Sequence, residues 1–102
     1  MKRAMLPLGA LRAFDAASRH QSFKDAADEL AVTPAAISQQ VRHLEAVLGQ
    51  QLFYRSNRSL TLTPWAKASM TDIQNGFEAF ERAVEIMTDA DLPEAAIYRL
   101  SA

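Results

Sequence analysis

Between Thr33 and Arg42 the sequence TPAAISQQVR sets small side chains beside groups that donate and accept hydrogen bonds. The Gln39 amide can form a two-point contact with an adenine edge, alanine methyls can touch a thymine methyl, and Arg42 can take a guanine or a phosphate. The hydroxyls of Thr33 and Ser38 can reach phosphate or base edges. Projected as a helix at roughly 100° per residue, Ala35, Gln39, Arg42 and Ala46 fall on one side, with Ser38 and His43 flanking. Ile37, Val41, Leu44 and Leu48 fall opposite and anchor the helix in a core. Small residues near a helix start let its backbone approach another surface closely, and a DNA major groove is such a surface. A Gln and an Arg also suit any solvated helix, so spacing alone leaves both readings open.

A second basic feature lies downstream. Arg55 and Arg58 flank a polar tip, Ser56-Asn57-Arg58-Ser59, that separates two short runs rich in aromatic, aliphatic and β-branched residues, Leu52–Arg55 and Leu60–Leu62. These are expected to pair as a hairpin, or wing, whose Arg55, Asn57 and Arg58 could follow a phosphate backbone or place a guanidinium in a narrow minor groove. The alternative is a solvated hairpin tip.

Catalytic chemistry finds little support. His20 and His43 stand apart from any metal-ligand or nucleophile spacing, no glycine-rich phosphate loop is present, and Asp28-Glu29 suit a solvated surface. With no cysteine, thiolate chemistry and disulfides are excluded together, which fits a reducing interior. The expectation is a protein that is not an enzyme and needs no cofactor or metal.

The elements that must hold these groups follow from helix periodicity and start signals. Leu8, Leu11, Phe14, Ala17 and Ser18 predict a first helix over about Leu8 to Arg19. Ser22 with Asp25 opens a second, carrying Phe23, Ala26, Ala27 and Leu30 on one face. Only Ala31, Val32 and Thr33 separate it from the third, which starts at Thr33-Pro34 and stops at Gly49. Two helices joined so tightly must cross steeply, the geometry of a helix-turn-helix. Thr63-Pro64 then opens a fourth helix in which Ala66, Met70, Ile73, Phe77, Phe80, Val84 and Met87 form a heptad seam. The seam suits a partner helix, with packing against the chain's own head as the alternative.

Charge divides the chain in the same place. Residues 1–67 hold nine Lys/Arg and five Asp/Glu, giving +4, whereas residues 68–102 hold two and seven, giving −5, which sum to the net charge of −1. A basic head facing a polyanion and an acidic segment with another task are expected. The apolar run AMLPLGAL near the start contains a proline and a glycine and leads to no convincing cleavage site. No stretch approaches the roughly 18 apolar residues of a membrane span, so a cytoplasmic location and no membrane partner are expected.

Residues 7 to 66 closely resemble the N-terminal domain of LysR-type transcriptional regulators, through PLGALRAFDAASRHQSFKDAADELAVTPAAISQQVRHLEAVLGQQLF, the arginine at 55 and the closing LTP. The phrase LRAFDAASRHQSF is most similar to the branch containing the glycine-cleavage activator and the β-lactamase inducers. The resemblance implies a mainly α fold, a winged helix-turn-helix of three helices plus a two-stranded wing followed by a long linker helix. The expected divisions are a head over 1–62, a linker and dimerisation helix over 63–88, and a hinge over 89–102 leading toward a small-molecule effector domain outside this chain. Double-stranded DNA and a second copy paired through the linker seam are the implied partners, with Pro34, Ala35, Ala36, Ser38, Gln39 and Arg42 facing the major groove and Arg58 in the minor groove. The chain departs from the family where arginine or lysine often replaces Gln39, and where a glycine usually follows the linker proline instead of Trp65 and Ala66. An alternative role is an interaction module that pairs through its linker helix with a longer relative and modulates its assembly.

Overall fold

Local chemistry sets where each helix begins. In the computed structural model, which describes residues 2–56 and 59–89, a short 3-10 turn at Arg3–Met5 precedes α1 (Leu8–His20), α2 (Phe23–Leu30) and α3 (Pro34–Leu48). The hairpin strands β1 (Phe53–Ser56) and β2 (Ser59–Leu62) follow, and then α4 (Pro64–Thr88). Ser22 caps α2 by accepting the Asp25 N–H at 3.1 Å, and Thr33 caps α3 by accepting the Ala36 N–H at 3.1 Å. Proline occupies the first turn of both α3 and α4, where no N–H is needed. The result is the winged helix-turn-helix and long trailing helix that the sequence predicts.

The helices of the head meet through alanine. Ala10, Ala13, Ala16 and Ala17 of α1 and Ala26 and Ala27 of α2 are all buried, and such small side chains let helix backbones approach closely. Larger residues fill the space beside them: Ile37, Val41 and Leu44 from α3, Phe14 from α1, and Phe53 at the start of β1. The Phe14 and Phe53 rings lie 5.5 Å apart and Phe23 meets Phe53 edge-on at 6.1 Å, so one aromatic from the wing joins both helices of the first pair. Buried Ser18 donates its hydroxyl to the Phe14 carbonyl at 2.8 Å and leaves no stranded donor.

The hairpin is antiparallel, with Phe53 opposite Leu62 and Ser56 opposite Ser59. At its base Thr63 donates its hydroxyl to the Gln51 carbonyl at 2.7 Å and its N–H to the Leu52 carbonyl at 3.0 Å, joining the exit of the wing to its entrance.

Three expectations need correction. Leu48, placed among the anchors of α3, is 46% exposed, because the last turn of α3 carries it beyond the core. Glu29 does not simply solvate the surface: its carboxylate takes a two-point contact from Arg19 and lies 2.8 Å from His20 Nε2, while Arg19 also reaches Asp15 at 3.1 Å. This cluster ties the end of α1 to α2. Finally, the α4 seam does not serve one purpose throughout. Ala66 is fully buried in the head and Met70 and Ile73 pack against the same core, so the stretch up to Ile73 is occupied within the chain, whereas Phe80, Val84 and Met87 are exposed.

The Arg19 hydrogen bonds, and then that of His20, hold the Glu29 carboxyl well down, from 4.5 to about 2. A carboxylate whose folded value is depressed contributes stability that is complete above its unfolded value and is lost as pH falls through the folded one. Thermal stability of the wild type is therefore expected to fall between about pH 4.5 and about pH 2 more steeply than that of Glu29→Gln. Melting curves across that range check this, and parallel declines would show that Glu29 contributes nothing through its charge.

Candidate nucleic-acid interface

The turn between α2 and α3 does the positioning. Ala31 takes a left-handed conformation at φ 56°, and the Val32 and Ala31 N–H groups donate back to the carbonyls of Ala27 and Asp28 at 3.0 and 3.4 Å. This paired closure satisfies the end of α2 and reverses the chain in the fewest residues, so α3 crosses α2 instead of continuing it. At the far end Gly49 adopts φ 69°, a conformation glycine enters without a Cβ penalty, and α3 stops.

With Ile37, Val41 and Leu44 buried, the opposite face of α3 is bare. Thr33, Pro34, Ala35, Gln39 and Arg42 are exposed, and Ala36 and Ser38 are half-buried beside them. The structure thus brings all seven onto the first turns of one helix, with the Thr33 oxygen also accepting the capping bond. The small side chains at 35 and 36 leave the Gln39 amide and the Arg42 guanidinium as the groups that reach furthest.

One arginine of the wing has partners within the head. Arg55 donates from Nη2 to Glu45 Oε1 at 3.0 Å and lies over the Phe23 ring at 5.8 Å, so part of its guanidinium is tied back to the head while the residue remains exposed. Sequence reasoning missed Glu45 because its partners, seven and ten residues on, lie past the end of α3, where helical spacing no longer applies. Asn57 and Arg58 lie outside the described residues.

Ion pairing also changes which charges are available. Arg19 and His20 are paired with Asp15 and Glu29, and Arg55 with Glu45. Among the described residues of the head, Lys2, Arg3, Arg12, Lys24, Arg42 and Lys67 make no ion pair, against Asp25 and Asp28 on the acidic side. The basic excess read from the sequence is therefore carried by free cations. Among the same residues no group of three or more His, Cys, Asp or Glu could hold a metal, and no helix is long and apolar enough to cross a membrane.

The lower part of the seam and the start of α1 frame an apolar groove. Leu6, Leu8, Leu11, Ile73, Gly76, Phe77 and Phe80 line it, with Leu8 about half exposed.

Residues 8–67 match the family described as bacterial regulatory helix-turn-helix protein, lysR family. The chain is 46% identical over 96 residues to a glycine cleavage system transcriptional activator homolog of Haemophilus influenzae, covering 90% of this chain and 32% of that protein. It is 46% identical over 92 residues to the transcriptional activator AmpR of Providencia stuartii, again covering 90% of this chain and 32% of the relative. The chain thus spans about a third of the length of these relatives, and both belong to the branch that the first-helix phrase pointed to. Among solved structures, the BenM DNA-binding domain in complex with benA site 1 DNA superposes with a TM-score of 0.72 at 31% identity, covering 78% of this chain and 90% of that one.

Because an alanine in the left-handed region is strained by its Cβ, Ala31→Gly is expected to stabilise the domain by about 0.5–1 kcal/mol. Urea denaturation checks this. A loss of stability would mean that flexibility gained in the unfolded chain outweighs the strain relieved.

Proposed function

The chain belongs to the lysR family of bacterial regulatory helix-turn-helix proteins, and on that premise we propose that it binds double-stranded DNA sequence-specifically, as a homodimer reading an inverted repeat, in transcriptional regulation. The observation that carries this reading is the bare first half of α3, where exposed Gln39 and Arg42 stand beyond a floor of small residues. Gln39 would read adenine and Arg42 a guanine or a phosphate, while Thr33, Pro34, Ala35, Ala36 and Ser38 permit close approach and add backbone contacts. Arg58 would enter the minor groove from the wing. That the BenM domain was solved with DNA supports the same use of this fold.

Pairing rests on the outer half of α4. Phe80, Val84 and Met87 repeat at heptad spacing, are exposed, and run on from the apolar groove beside α1. A second α4 laid antiparallel would cover them, leaving Ala66, Met70 and Ile73 to the head of each copy. Two recognition helices would then meet successive major grooves about 34–36 Å apart, or a multiple of that distance.

Selection from a random duplex pool at near-physiological salt is expected to enrich an inverted repeat. On that repeat Gln39→Ala is expected to cost about 1–3 kcal/mol at one base pair and to relax preference there. An equal loss on every sequence would remove Gln39 from base recognition. Sedimentation at micromolar concentration is expected to give a dimer that Phe80→Glu converts to monomer, and a wild-type monomer would overturn the pairing.

A further inference from the structure

Glu45 lies one turn beyond Arg42 on α3, and both oxygens of its carboxylate are committed to the wing. Oε2 accepts the Leu52 N–H at 2.8 Å and Oε1 accepts from Arg55 Nη2 at 3.0 Å. The Arg55 guanidinium in turn lies over Phe23, the first residue of α2, with its centre 5.8 Å from the ring centroid. One buried-edge carboxylate therefore links the back of the recognition helix to the entrance and third residue of β1, and through Arg55 to the other helix of the helix-turn-helix.

A two-stranded hairpin has little stability of its own and takes its orientation from what it is tied to. The base of this one is fixed by buried Leu52 and Phe53 and by the Thr63 bonds, but those contacts all lie at its root. Arg55 is further out, opposite Leu60 and one pair before Ser56 and Ser59. Leu60 across the pair leans on the core, and Arg55 adds a polar, two-sided hold by Glu45 and by the Phe23 ring that ties this level of the hairpin to α3 and α2. The Glu45 side chain is 12% exposed and that of Arg55 30%, so the pair is partly withdrawn from solvent and a charge-assisted bond there is stronger than at an open surface.

We propose that Glu45 and Arg55 are positioning residues that fix the angle between the recognition helix and the wing, and so determine which flanking stretch of DNA the wing meets while α3 occupies its half-site. The inference rests on the DNA-binding reading above. Neither residue needs to touch DNA: the pair converts a contact inside the protein into a spacing between two contacts on the duplex.

The test is hydroxyl-radical footprinting of the wild type, Glu45→Gln, Arg55→Met and the double variant on a duplex recovered by the selection, at saturating protein and a temperature where circular dichroism shows each folded. The two single changes alter net charge in opposite senses, one removing a negative and the other a positive group. General phosphate attraction must therefore move in opposite directions in them. The expected result is the same in both: protection over the half-site remains, protection of the flanking minor groove is lost, and the double variant loses no more than either single one. Retention of the wild-type flank pattern in either single variant would overturn the proposal, as would a uniform fading of half-site and flank together. A wild-type protein that protects no duplex would overturn the function proposed above and this inference with it. A wild-type footprint shared by the variants would overturn this inference alone.

Discussion

Close approach between helices through alanine is the constraint on which this domain depends. Where α1 and α2 face each other, Ala13, Ala16, Ala17, Ala26 and Ala27 are buried with almost no side chain to separate the backbones. From the end of α2, packed this way on α1, a turn of only three residues leads into α3, and Ala31 accepts left-handed strain to make it. A larger residue at any of these positions would push α2 outward, and α3 with it, since the short connection gives no slack. Overpacking of this kind costs on the order of 1–3 kcal/mol even where the fold survives. The exposed face of α3 is thus positioned from behind, by residues with no chemistry of their own.

The sequence displays its local signals openly and its tertiary ones poorly. Ser22, Thr33 and the prolines at 34 and 64 act within one helical turn, and the structure uses each as spacing suggests. The alternation of buried and bare positions on α3 follows from helix geometry, which is why Gln39 and Arg42 could be singled out in advance. Arg55 could not be placed, because an arginine beside a hairpin tip looks the same whether it points at solvent or at a carboxylate ten residues earlier. Leu48 shows a related limit: helical phase tells which side a residue faces, and says nothing about how far the core extends along the helix.

The heptad seam illustrates this on a larger scale. An apolar stripe records that something covers it and carries no mark of whether the cover belongs to the same chain. In α4 the answer changes along the helix: Ala66 is sealed in the head, Met70 and Ile73 lean on it, Phe77 stands at the groove edge, and Phe80 onward is bare. The small head ends before the helix does, since 25 residues extend about 37 Å. A single rigid element therefore belongs to the core at one end and projects at the other. On the proposed reading, any partner gripping the projecting end fixes the orientation of the head without an intervening hinge among the described residues.

Charge follows the same division. On the head, Arg19 and Arg55 are ion-paired with carboxylates, and the exposed face of α3 itself carries one arginine, Arg42. Attraction to phosphate is indifferent to sequence, so a face with one cation and several small or amide-bearing groups is suited to discriminate more than to hold tightly. The projecting half of α4 carries Glu78, Glu81 and Glu85 against Arg82, which would oppose a phosphate backbone laid along it. On the proposed reading, joining two heads on one duplex adds affinity without adding charge to α3, because the second engagement is intramolecular. The bare seam and the sparing use of positive charge on α3 are then two sides of one arrangement: a head that discriminates, and a helix that supplies the second head.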